Sequence, residues 1–290
     1  MLATLLHCVV IAGCLAQTDG PMLTIGAVAD CQYCDYPDGG VRQYRRSVEK
    51  LRECVTHYNT LPLDYVVHLG DFIDRDWESF DVVLPITQAL KHPLYHVLGN
   101  HDFSVPDGKK ALVHEKLGMP SRYHDFAVGK WRFVITDGND VSLHGWPKDS
   151  APYLEAKQLH ESLYKAQPVW NGAIGAGQLQ WIESVLKKAQ AAGESAVLYC
   201  HFPLYPADPH CLWNAEAVIA LLEQYPVVKA WINGHNHNGD YGEKKGIHYL
   251  TLKGMVDTAE TSYAVLRVYP DRIDVDGIGR EPDRTLIIRR

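Results

Sequence analysis

Apolar residues gather along this chain in short β-branched runs: LTIGAVA (23–29), DYVVHLG (64–70), LYHVLG (94–99), WRFVITDG (131–138), SAVLYC (195–200) and VVKAWING (227–234). Between the runs the spacing changes. Val41, Tyr44, Val48, Leu51 and Val55 recur three or four apart, the stripe of one helix face. QLQWIESVLKKAQAAG (178–193) reads as a second amphipathic helix stopped by Gly193, and NAEAVIALLEQY (214–225) as a third. Strand and helix alternating from residue 22 to 233 predict an α/β protein with covered sheets. The tail differs. GIHYLTL, SYAVLRVYP, RIDVDGIG and RTLIIRR are strands joined by turns, which predicts a mainly antiparallel sheet packed on the first layer. Residues 142–172, polar, aromatic and rich in turn formers, break the alternation and read as an insertion over the surface of one domain spanning 21–290.

Composition sets limits on what such a domain does. The chain has 290 residues, 46% hydrophobic and 22% charged, enough for a sizeable core without staples. Its formal net charge of −7 argues against nucleic acid as a partner. An acidic protein acting on phosphates would need local positive charge, and metal ions are one source. The apolar start, residues 1–20, is too short for a confident membrane span and resembles a secretory leader. Within it IAGC (11–14) resembles a lipoprotein box, making Cys14 a candidate lipid anchor, although no Lys or Arg precedes Arg42. Export, periplasmic or lipid-anchored, is favoured over a cytoplasmic location. Of the seven cysteines, five follow the leader, with no disulfide framework, and the lone C-x-x-C of Cys31 and Cys34 is read as incidental.

The strand ends carry the chemistry. Asp30 and Gln32 end the first strand, Asp71 and Asp74 the second, and Asn100, His101 and Asp102 the third. His201 ends a later strand, and His235 and His237 another. In open α/β sheets, sites form beyond the carboxyl ends of the strands, so these groups can converge. Carboxylates, amides and imidazoles without thiolate suit divalent Mn, Fe, Zn or Co. They are too many for one tetrahedral ion. Two ions about 3.5–4 Å apart, sharing a carboxylate, would stabilise both attacking and leaving oxygens in phosphoryl transfer.

The ordered set D-x-Q, GD-x-x-D, GNHD, H and GHNH resembles the calcineurin-like metallophosphoesterase superfamily over residues 22–277. That resemblance implies a four-layer α-β-β-α sandwich, two mixed sheets flanked by helices. It implies that Asp30, Gln32, Asp71 and His237 bind one ion, that Asp71, Asn100, His201 and His235 bind the other, and that Asp71 bridges. It implies a catalytic His101 oriented by Asp102. Gln32 stands where most members have histidine, and a harder amide oxygen favours Mn, with Fe, Co, Zn or Mg as alternatives. With ADCQYCDYPDGGVRQYRRSVEKL, WNGAIGAGQLQWI and GHNHNGDY, the chain is similar to the manganese-dependent ADP-ribose/CDP-alcohol diphosphatases. Hydrolysis of a pyrophosphate bond in a nucleotide-type small molecule follows from that likeness. Tyr33 resembles a position that stacks on the base, and Arg42, Arg45 and Arg46, at the start of the first helix, are candidates for the second phosphate. The alternatives are a phosphomonoesterase or cyclic-nucleotide phosphodiesterase of the same superfamily, or a catalytically silent metal-binding interaction module. The silent module predicts loss of a ligand or of His101, and none is missing.

Overall fold

The computed structural model describes residues 20–289. The expected leader, including Cys14, lies outside the described residues but for Gly20. The first half alternates as predicted. Strands β1 (Leu23–Val28), β2 (Tyr65–His68) and β3 (Leu94–His96) run parallel, joined by helices α1 (Ser47–Tyr58) and α2 (Ser79–Thr87). Two single turns, α3 (Asp107–Lys110) and α4 (Val113–Lys116), lead to the hairpin of β4 (His124–Val128) and β5 (Trp131–Ile135). Then come β6 (Val141–Ser142), α5 (Ala151–Leu163), β7 (Gly172–Ala173), α6 (Ala176–Ala192), β8 (Ser195–Tyr199), α7 (Ala215–Leu222) and β9 (Val228–Asn233). The tail supplies β10 (Asp240–Lys244), β11 (Ile247–Thr251), β12 (Ser262–Val268), β13 (Arg272–Gly279) and β14 (Arg284–Ile287).

Two six-stranded mixed sheets result, ordered β14-β13-β12-β1-β2-β3 and β10-β11-β9-β8-β5-β4. Alternation along β8 shows how they stack. Val197 and Tyr199 join Ile25, Tyr65 and Val67 in the core between the sheets, while Ala196 and Leu198 meet Ile182, Val185 and Leu186 of α6 on the outer face. On the far side, Leu51, Cys54, Val55 and Tyr58 of α1 and Phe80 and Val83 of α2 cover the first sheet. Strands buried on both faces explain the unbroken apolar runs. Across the middle, the Tyr65 and Tyr199 hydroxyls bond at 2.9 Å and the Tyr65 and Phe133 rings meet edge to face at 5.1 Å.

The structure corrects two expectations and adds detail to a third. The tail does not form a sheet of its own. β12, β13 and β14 extend the first sheet antiparallel from β1, while β11 runs parallel beside β9 in the second. The edges beside β1 and β9, left free by the earlier strands, are where the late strands add. The first helix starts at Ser47, after a 3-10 turn at Tyr44–Arg46, so Val41 is exposed and Arg42, Arg45 and Arg46 precede the helix proper. The 142–172 segment holds a full helix, α5, which hides only Ala156 and His160 and therefore shows little apolar periodicity.

Candidate active site

β1, β2, β3, β8 and β9 all finish at one edge of the sandwich, and backbone pairing continues past them. Leu69 N–H donates to Val28 O at 2.8 Å, Asp30 N–H to Gly70 O at 3.1 Å and Gln32 N–H to Asp71 O at 2.9 Å. The loops pay for this proximity in conformation. Asp30, Gln32, Asp71 and His235 take positive φ (54°, 45°, 57° and 71°), a region that costs L-residues of order 1–3 kcal/mol and concentrates at functional sites. A Cβ on Gly99 would sit 2.1 Å from Asp71 Oδ1, and one on Gly234 would sit 2.6 Å from Asp30 Oδ2. Only glycine lets these loops close on the carboxylates.

At the centre lie Asp30, Asp71 and His201, all fully buried. His201 Nε2 is 3.2 Å from Asp71 Oδ2, and its Nδ1 donates to Leu69 O at 2.8 Å. His235 Nδ1 lies 3.1 Å from His201 Nε2, while its Nε2 meets Asn171 Oδ1 at 2.9 Å. His237 Nε2 lies 3.4 Å from Asp30 Oδ1, with Nδ1 on Asp257 Oδ1 at 3.0 Å. Each imidazole therefore gives one nitrogen to a fixed acceptor and turns the other inward, His201 and His237 toward the carboxylates and His235 toward His201, which is how metal-ligating histidines are held. Against burial, which opposes it, Asp71 and Asp30 raise His201 to about 9, and Asp30 and Asp257 raise His237 to about 9.

The residues fit a divalent ion. Asp71, His201 and His235 each offer a ligand atom within 4.8 Å of the others. Gln32 Oε1 and Asn100 Oδ1 are buried without a partner, and half a turn of the Gln32 amide would bring Oε1 to where Nε2 now lies 2.9 Å from Asp71 Oδ2. The donor set is hard to borderline.

Around His101 the arrangement departs from expectation. Asp102 does not touch its ring. Its buried carboxylate accepts the N–H groups of Asp71 (3.1 Å), Phe72 (2.8 Å), Ile73 (3.3 Å) and Gly99 (2.9 Å), pinning the two loops together. Asp74 is the partner instead: His101 Nδ1 donates to the Asp74 carbonyl O at 3.2 Å with the carboxylate Oδ1 3.1 Å away, and Arg75 braces the other carboxylate oxygen at 2.9 Å. The 3-10 turn His101–Phe103 separates the adjacent side chains, so neighbours in sequence face different loops. Burial works against the imidazolium, but Asp71 and Asp74 outweigh it and hold His101 above the ordinary histidine value.

A cleft of about 370 Å³ opens over these groups, lined by Gln32, Arg42, Asp71, Asn100, His101, Trp170, His210, His235 and His237. Of the substrate candidates, Arg42 lines it, 3.9 Å from Asp74. Arg45 is exposed and tied to Asp35 at 2.6 Å, and Arg46 bonds Gln43; neither lines the cleft. Tyr33 also lies outside the lining, half-buried against the main core. The aromatic surface in the cleft is Trp170, with ring centroids 5.0 Å from His210 and 5.2 Å from His235. Trp170 and Asn171 come from the end of the 142–172 segment, and Asn171 is anchored by Pro209 O and Cys211 O. Asn171, Asp257, Trp170 and His210 escape the sequence reading. Only Asn171, ahead of a glycine in WNGAIG, carried a turn signal.

Comparison with known proteins agrees with this geometry. The calcineurin-like phosphoesterase profile matches residues 23–239. Proteins named manganese-dependent ADP-ribose/CDP-alcohol diphosphatase are 31% identical in Oryza sativa subsp. japonica (92% of this chain, 95% of that protein) and 30% identical in Homo sapiens (94% of each). A crystal structure of a dimetal phosphatase from Danio rerio superposes with a TM-score of 0.84 at 28% identity, covering 93% of this chain and all of that one. The chain belongs to the calcineurin-like phosphoesterase family and, within it, is related over nine-tenths of its length to proteins named as manganese-dependent diphosphatases.

Proposed function

We propose that this protein hydrolyses the pyrophosphate link of nucleoside diphosphate derivatives. ADP-ribose would yield AMP and ribose 5-phosphate, and a CDP-alcohol would yield CMP and a phosphoalcohol. The observation that carries the reading is one cleft in which His101 and Arg42 stand beside a buried set of carboxylates and singly oriented imidazoles. The relatives' names support the substrate class and manganese.

Asp30, Gln32, Asp71 and His237 would hold one ion and Asp71, Asn100, His201 and His235 the other, with Asp71 shared. When bound, two divalent ions offset phosphate charge and lower the pKa of water toward neutrality. His101, its Nδ1 proton engaged by Asp74, keeps Nε2 for the cleft, where it can donate a proton to the leaving phosphate oxygen. Arg42 offers a planar donor for the second phosphate. Trp170 offers an apolar face for the base.

A substrate panel tests the proposal: ADP-ribose, CDP-choline, CDP-glycerol, cyclic AMP and p-nitrophenyl phosphate, each with Mn, Mg, Zn and Co. The nucleoside diphosphate derivatives with Mn should give the highest kcat/KM. A higher value for cyclic AMP or the monoester, or turnover that survives chelation, would overturn it.

A further inference from the structure

α1 buries a lysine, with 4% of Lys50 exposed. Among the described residues no carboxylate forms an ion pair with it. Its Nζ instead reaches four successive carbonyls, Met255 O at 2.6 Å, Val256 O at 3.1 Å, Asp257 O at 3.3 Å and Thr258 O at 2.8 Å. An ammonium has three N–H groups, so one donor is shared among the four acceptors. Four carbonyl dipoles converging on one point repel one another unless a cation lies there. The turn reaches that shape with Thr258 at φ +59°.

The 255–258 turn is threaded through the site. Met255 N–H donates to Ala29 O and Val256 N–H to Asp30 O, each at 2.9 Å, and Thr258 N–H donates to Val41 O at 2.7 Å. From its middle, Asp257 accepts from His237 Nδ1, which leaves Nε2 at 3.2 Å from the Gln32 amide and 3.4 Å from Asp30. We propose that Lys50 is a positioning residue for the metal centre: by gathering the four carbonyls of this turn it holds Asp257 on Nδ1 of His237 and aims Nε2 at the Asp30–Gln32 side. The inference rests on His237 being a metal ligand. It joins α1, on the outer face of the first sheet, to one ion and not to the other, because His201 and His235 take their orientation from Leu69 and Asn171.

Titration of the full chain with Mn²⁺ alone, followed by electron paramagnetic resonance, tests it. Lys50→Met keeps most of the stem and removes the charge. It should weaken one of the two manganese sites about 10- to 100-fold, the cost expected for losing a group that orients a ligand, and leave the other unchanged. Asp257→Asn should weaken the same site, and the double variant should be no weaker than the worse single one. In Lys50→Ala, ethylammonium should restore the lost affinity, while tetramethylammonium at the same ionic strength should not. Lys50→Met that binds both ions as wild type does would overturn the inference. So would parallel weakening of both sites, effects of Lys50 and Asp257 that multiply, or failure of ethylammonium to restore binding. Should the Lys50 variants not fold, Asp257→Asn alone must still weaken one ion only, and unaltered binding there overturns the proposal. Wild type that takes up fewer than two ions would instead overturn the reading of the site itself.

Discussion

At the scale of single residues, His101, Asp74 and Asp102 divide the work that the sequence assigns to two of them. His101→Asn should leave manganese uptake intact and lower kcat about 10²- to 10⁴-fold, the usual loss for a general acid; an unchanged kcat would remove His101 from the chemistry. Asp74→Asn takes away one carboxylate that raises the His101 pKa. The limb of the pH–rate profile that reports loss of the His101 proton should therefore move to lower pH. Asp102→Asn should leave that limb in place, because Asp102 bonds backbone and not the ring. It should instead cost stability of about 1–3 kcal/mol, since N–H groups that now reach a carboxylate oxygen are left facing the amide NH2. Trp170→Ala should lower kcat/KM on ADP-ribose about five- to 150-fold and spare a small phosphate ester, whereas Tyr33→Ala should spare both. The residues gathered at the strand ends were legible because a polar group closing an apolar run is conspicuous. The pairing of Asp74 with His101, and Asn171 and Asp257 altogether, were not, because which side chain reaches which imidazole depends on loop geometry that no local spacing encodes.

At the scale of elements, the strands of the first half could be read because both of their faces are covered, whereas β4, β10 and α5, half-exposed, gave no clear period. β2 and β3 carry an exception to the apolar rule. His68 and His96 face each other in register, both buried, with ring nitrogens that lack partners. Burial pulls His96 down to about 4 and His68 well below the usual value. A histidine with a depressed folded pKa binds fewer protons folded than unfolded, so it costs nothing above about pH 6.5 and destabilises progressively as pH falls toward 4. His96→Phe removes that term and keeps the ring against Phe72, which His96 meets at 5.1 Å. In urea unfolding, the variant should gain on wild type by up to about 3 kcal/mol between pH 6.5 and 4. A constant difference across that range would show that His96 does not titrate in the way its burial demands.

At the scale of the whole molecule, the donors divide between the two sheets: Asp30, Asp71 and Asn100 follow strands of the first, and His201, His235 and His237 follow strands of the second. If His201 and His237 are ligands as proposed, then, held near 9, they must release protons to accept ions at neutral pH. Calorimetry in buffers of different ionisation enthalpy should therefore record proton release on manganese binding, and more of it at pH 7 than at pH 9.5. Chelation should lower the thermal midpoint, because an ion at a hundred times its dissociation constant adds about 2.7 kcal/mol to the folded state. The split has a kinetic meaning as well. Neither sheet alone can grip an ion with a full set, so capture waits until the sheets have docked and the loops have closed. Interactions that form after the transition state slow unfolding and leave folding nearly untouched. Stopped-flow chevrons with and without manganese should share their folding arm and separate on the unfolding arm, making the ions a latch on the finished protein and no template for its assembly.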